Sequence, residues 1–184
     1  LLDGDRAADV LSELEEDDRE RFLRVLPSKI IARQFIDNMD SDDAADILSE
    51  LPEDVKDEII SHIEEVEHAG DIVDLLNYEE DTAGGLMAKE LISVNLNWSV
   101  TKCLREMARQ VENVDEVYYV YVVDDDNILK GLLSLKKLLL TQTSAKVSSV
   151  YNPDVISVRT DTKGEEVANI MDRYDLVALP VLDG

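Results

Sequence analysis

Apolar residues recur at intervals of 12 or 13 positions through the first 63 residues, and this spacing constrains the fold more than any other feature. Val10, Phe22, Phe35, Ile47 and Ile59 stand 12, 13, 12 and 12 residues apart, and Leu14, Leu26, Met39, Leu51 and Ile63 repeat at the same intervals. Each unit places apolar residues at i, i+1 and i+4, as in Ile47, Leu48 and Leu51, which is the one-sided pattern of a helix. Pro27-Ser28, Asp40-Ser41 and Pro52 supply the caps and turns between units. A helix of two or three turns cannot bury its stripe alone, so consecutive units are expected to stack as an α-helical solenoid. A further helical segment around Ile72 to Leu76 leads toward a glycine pair, Gly84-Gly85.

Charge divides the chain at the same place. Residues 1–81 hold 27 Asp and Glu against 7 Lys and Arg, a net −20, whereas residues 82–184 hold 15 against 11, a net −4. A total of −24 argues against nucleic acid and anionic membrane surfaces as partners and favours cations or basic proteins. The single cysteine, Cys103, excludes an internal disulfide framework and is compatible with a reducing cytoplasm. No apolar run approaches the roughly 20 residues that cross a bilayer, and Leu1 opens no secretory signal pattern, so this stretch reads as a soluble piece.

A second, longer repeat follows. Leu91-Ile92-Ser93-Val94, then Ser99 and the helical run Val100, Cys103, Leu104 and Met107, matches Val155-Ile156-Ser157-Val158, then Lys163 and Val167, Ala168 and Met171, at an offset of 64. Val120-Tyr121-Val122-Val123-Asp124 matches Leu179-Pro180-Val181-Leu182-Asp183 less closely. Each copy reads as strand, amphipathic helix and strand ending at an acidic turn. The first copy continues through the Asp124-Asp125-Asp126-Asn127 turn into a strand, Leu129 to Ser134, and a helix, Leu135 to Leu140, with Ser134 as its cap. The second copy is expected to be incomplete, because the sequence stops at Gly184 before the corresponding strand and helix.

These tandem units, with their ISV and LPVLD segments, resemble paired CBS modules, and the acidic helical repeat joined through YEEDTAGGLM resembles the cytosolic region of MgtE-type magnesium transporters. The expected organisation is therefore an acidic α-helical N domain over 1–81 and an α+β tandem CBS pair, with a first module over 82–144 and a truncated second module over 145–184. The resemblance implies no enzyme. It implies a homodimer formed through the CBS modules, at the cytoplasmic face of the cell membrane and attached to a transmembrane pore outside this chain, which closes the pore when internal Mg2+ is plentiful.

DSDDAADILSEL, Asp40 to Leu51, carries five carboxylates and no lysine or arginine. Asp42 and Asp46 are spaced i, i+4 and share a helix face, where two carboxylates could meet one hydrated Mg2+, a hard cation that takes oxygen ligands and keeps most of its waters. Asp9 holds the repeat position equivalent to Asp46. The resemblance assigns metal-ligand positions to Asp9, Asp42 and Asp46 on the helical side, and to the Gly85 carbonyl, Glu165, Asp172 and Asp175 on the other. Lys163 stands where the family carries a further carboxylate. Asp43, Glu50, Asp54 and Glu58 read as solvated charges, the ordinary state of surface acids, and Glu53 and Asp54 also complement a helix dipole after Pro52.

Two further readings compete. CBS pairs often take adenosine nucleotides, and for ATP the matching positions are Tyr119 for stacking and Gly131 and Ser134 for ribose and phosphates, but Lys137 occupies the place of the expected carboxylate. An acidic solenoid that recruits a basic protein through its concave face is the other alternative. Nothing points to catalysis. His62 and His68 lie six apart, on different helix faces, and read as surface histidines; Cys103 falls on an apolar stripe; Gly84-Gly85 precede no Lys-Ser or Lys-Thr.

Overall fold

The computed structural model describes residues 4–111, 114 and 117–183, and its chain divides into two compact units. The first contains the chain up to Lys89 together with a returning segment, Thr160–Gly164; the second contains Glu90–Arg159 and the residues from Glu165 onward.

In the first unit six helices follow one another: α1 (Gly4–Ser12), α2 (Glu16–Leu23), α3 (Ser28–Gln34), α4 (Ser41–Ser49), α5 (Glu53–Ile60) and α6 (Val66–Leu75), with a 3-10 turn at Ile36–Asn38. Their starts follow from local chemistry. Pro27 and Pro52 sit at N-caps, where a missing N–H costs nothing, and their carbonyls accept the first helical N–H groups, from Ile30 and Ile31 and from Val55 and Lys56. Their ends are equally regular. The third apolar residue of most units lies just past the helix, and its N–H closes a tight turn on the residue three before: Leu14 on Leu11, Leu26 on Leu23, Leu51 on Leu48 and Ile63 on Ile60.

The buried register differs from the expected one in the first two units. Val10 is 53% exposed and Phe22 40%, whereas their neighbours Leu11 and Leu23 are buried with Ile31, Ile36, Ile47, Leu48, Ile59 and Ile72 in one core. Adjacent helical residues differ by about 100°, so an i, i+1 pair can centre its stripe on either member. In α1 and α2 the second member wins, and Phe22 meets the core only edge-on, through Phe35 at a ring separation of 5.7 Å. α4 packs on α6 and α3 on α5. Beyond α6, the Lys89 N–H donates to Ser41 Oγ (3.3 Å) and its ammonium binds Asp74 (2.6 Å).

The second unit is built on strands whose apolar residues alternate. β1 (Ile92–Asn95) runs parallel to β2 (Val120–Val123), which pairs antiparallel with β3 (Leu129–Leu133). Ile92, Val94, Val120, Val122 and Leu133 point to one core with Val100, Cys103 and Met107 of α7 (Val100–Gln110) and Leu138 of α8 (Leu135–Leu139). Ser99 and Ser134 cap α7 and α8, accepting from the N–H groups of Lys102 and Lys137. The β2–β3 turn places Asn127 at φ 60, which asparagine tolerates, while Asp124 Oδ1 accepts the N–H groups of Asp126 and Ile128.

In the second module β4 is only Val158–Arg159, parallel to β5, Val181–Leu182, with α9 (Gly164–Tyr174) between them in sequence. The expected strand Val155–Val158 is thus reduced to its last residue. Its partner explains the loss: Pro180 has no N–H to offer a ladder, and its carbonyl receives the Val158 N–H at 3.1 Å. The chain end at Gly184, on which the reading of a truncated module rested, lies outside the described residues.

Candidate metal centre

α4 presents the densest acidic face. Asp42 and Asp46 lie one turn apart on it, the former half-buried, the latter open to solvent at its surface. Loss of surrounding water raises the Asp46 carboxyl above its ordinary value, and the charges of Asp42, Asp43, Glu80 and Glu50 push it further in the same direction. A carboxylate so placed resists ionisation, and a bound cation would remove both penalties. Glu80 joins this field from the turn after α6, a contributor that helical spacing within α4 could not indicate.

Glu50 is not the solvated charge that the sequence suggested. Two nitrogens of the Arg19 guanidinium grip its carboxylate, with Nε to Oε2 at 3.0 Å and the second contact between Nη2 and Oε1, and Arg19 Nη1 also donates to the Ser12 carbonyl. Both side chains are largely covered, and the Glu50 hydrogen bond raises the Arg19 pKa. Glu58 likewise has a partner, the Ser28 hydroxyl at 2.8 Å, whereas Asp43 and Asp54 are exposed as expected. Asp9 is exposed on α1. Gly85 is required by close packing: a Cβ there would lie 2.5 Å from the Glu79 carbonyl oxygen.

In the second unit, Glu165 sits in the first turn of α9 and Asp172 two turns later on the same face; both are exposed. Asp175 follows the helix at φ 54, also exposed. Among the described residues no three Asp, Glu, His or Cys side chains converge as they would around one ion, so each unit by itself offers pairs and faces of carboxylates.

The remaining candidates have structural duties. Gly131 lets the Asn152 carbonyl approach, since a Cβ would lie 2.1 Å from its oxygen, and Leu132 exchanges hydrogen bonds with Asn152. Ser134 caps α8, and Tyr119 is half-buried just before β2. His68 is half-buried, not a surface histidine, because its Nε2 contacts the Ile36 carbonyl at 3.0 Å. Burial pushes the Cys103 thiol up to about 11, the state of an inert core thiol.

Known proteins share this arrangement. The model of the MgtE intracellular N domain matches residues 1–81, and the CBS domain model matches 83–142 and 147–184. The chain belongs to the MgtE family. The magnesium transporter MgtE of Thermus thermophilus is 45% identical over 109 residues, 59% of this chain and 24% of that protein, so the matched part spans about a quarter of the relative's length. The crystal structure of the cytosolic domain of the Mg2+ channel MgtE in complex with ATP superposes with a TM-score of 0.90 at 36% identity, covering 100% of this chain and 74% of that one. The soluble part of a magnesium transporter follows at 0.86 and 33%, covering 99% and 71%. The helical unit and the CBS pair are thus those of an MgtE cytosolic domain. No described helix is long and apolar enough to cross a membrane.

Proposed function

We propose that this chain is the Mg2+-sensing region of a magnesium transporter, lying at the cytoplasmic face of the membrane and controlling a pore outside the chain. The observation that carries the reading is the Asp46 carboxyl, held above its ordinary value inside a field of four further carboxylates on an MgtE N domain. Without divalent ions the −20 segment repels itself and the acids of the second unit. With ions on Asp9, Asp42, Asp46, the Gly85 carbonyl, Glu165, Asp172 and Asp175, a closed form is favoured because it presents the more complete sites. One weak site contributes RT ln(1 + [L]/Kd), about 1.4 kcal/mol when the ion stands at some nine times Kd, so several such sites acting together give a firm switch. Small-angle scattering with separate Mg2+ and NaCl titrations at matched ionic strength tests the reading. Compaction by millimolar Mg2+ well beyond that given by NaCl is expected; coincident curves would reduce the effect to screening.

A second reading is adenosine-nucleotide binding to the CBS pair, favoured by the ATP held by a relative of near-identical fold. Tyr119, Gly131 and Ser134 are the residues in question. Calorimetric titration of ATP against the chain, with and without Mg2+, separates it from cation sensing.

A further inference from the structure

Five residues of the second CBS stretch, Thr160–Gly164, belong to the first unit. They lie along the turn that follows α6. Thr82 and Lys163 form an antiparallel bridge; the Ala83 N–H donates to the Thr162 carbonyl at 2.7 Å, the Gly84 N–H to that of Thr160 at 2.9 Å, and the Gly164 N–H to that of Asp81 at 3.1 Å. Thr82, Ala83 and Gly84 are buried beneath this pairing. Gly84 is shaped by it: a Cβ would lie 2.6 Å from the Tyr78 ring and 3.1 Å from the Thr160 carbonyl oxygen. Outside the ladder, the Lys163 ammonium binds Glu79 Oε2 at 2.9 Å and also feels the charge of Asp81. The cation in this acidic corner is therefore one the chain supplies itself.

We propose that Thr160–Gly164 is a permanent latch on the first unit, fastened by main-chain pairing and by the Lys163 ammonium instead of a divalent ion, so that it stays docked when such ions are withdrawn. The latch passes directly into α9, whose second residue is Glu165. It goes beyond the sensing reading by stating which segment does not respond: cation-dependent changes are confined to the chain on either side of it, and a divalent ion is not needed at Glu79 and Asp81.

Residue-resolved hydrogen exchange on the whole chain tests this. The amides of Ala83, Gly84 and Gly164 are expected to be protected in EDTA and in millimolar Mg2+ alike, within about twofold. Lys163→Glu should lower that protection about two- to fivefold in both conditions, the range of an exposed ion pair, and adding Glu79→Lys should restore it. Gly84→Val, which drives a branched side chain into Tyr78 and the Thr160 carbonyl, should open the same three amides while those of Ile47 and Leu48 remain protected. Protection that appears only with Mg2+, or a charge swap that restores nothing, would overturn the latch. A scattering curve indifferent to Mg2+ bears on the sensing reading instead, so the two can fail separately.

Discussion

Asp42 and Asp46 can be told from the other acids of the first unit by what surrounds them. Replacing both by Asn removes charge at nearly constant shape and should leave stability unchanged or raise it by up to about 0.5 kcal/mol, while weakening the Mg2+ response seen by calorimetry. The matched control is Asp54→Asn with Asp57→Asn on α5, both exposed; an equal shift in both double variants would mean that only net charge matters. Glu50 cannot serve as such a control. Glu50→Gln strips the charge from the Arg19 pair and should cost about 1–3 kcal/mol in urea unfolding. The pH dependence has a definite sign. Because the Asp46 pKa is raised on folding, ionising it opposes the folded state, so its penalty is absent below the unfolded value and grows as pH rises through the raised one. Protons and Mg2+ then compete for the same carboxylate, and apparent Mg2+ affinity should fall as pH drops toward that range. The i, i+4 pair was legible in the sequence because it is a local relation. The Arg19–Glu50 and Asp46–Glu80 relations were not, because each joins separate elements that only the folded chain brings together.

The helices and strands show the same division between local and distant causes. Periodicity and turn residues placed α4, α5, β2, β3 and the two serine caps, all features written within a dozen neighbouring residues. Which of two adjacent apolar residues faces inward is decided by the neighbouring helix, and so the stripe of α1 and α2 was read one residue off. This has a measurable consequence. Leu11→Ala and Leu23→Ala should each cost about 2–5 kcal/mol of stability, whereas Val10→Ala, at an exposed position, should fall within about 0.5 kcal/mol of the parent. Equal losses at Val10 and Leu11 in urea denaturation would reinstate the original register. β4 was over-extended for a related reason: period-two alternation in Val155-Ile156-Ser157-Val158 announces a strand, but its length is limited by a partner that begins after a proline. α9 buries none of its residues fully, although Val167, Ile170 and Met171 are half-covered.

Taken together, the chain combines a net charge of −24 with apolar surface that its own fold leaves uncovered. On α8 and the residue after it, Leu135, Leu139 and Leu140 are exposed, the last two at 73% and 80%, beside Lys136 and Lys137. Clustered leucines of this kind mark an association surface, and a second copy of the chain supplies the matching face under two-fold symmetry. The charge works against that pairing. Bringing two chains of −24 together costs long-range repulsion that salt screens over about 10 Å at 0.1 M, so the dimer should tighten as NaCl rises, and tighten more with Mg2+ if ions bind the carboxylates. Sedimentation equilibrium is expected to show a monomer–dimer equilibrium with that salt dependence. Leu139→Glu with Leu140→Glu should move it toward monomer while circular dichroism stays unchanged, because neither side chain contributes to the buried core. A parent chain that remains strictly monomeric at high concentration in salt and Mg2+ would instead leave this face for another partner, and the homodimer would have to be abandoned.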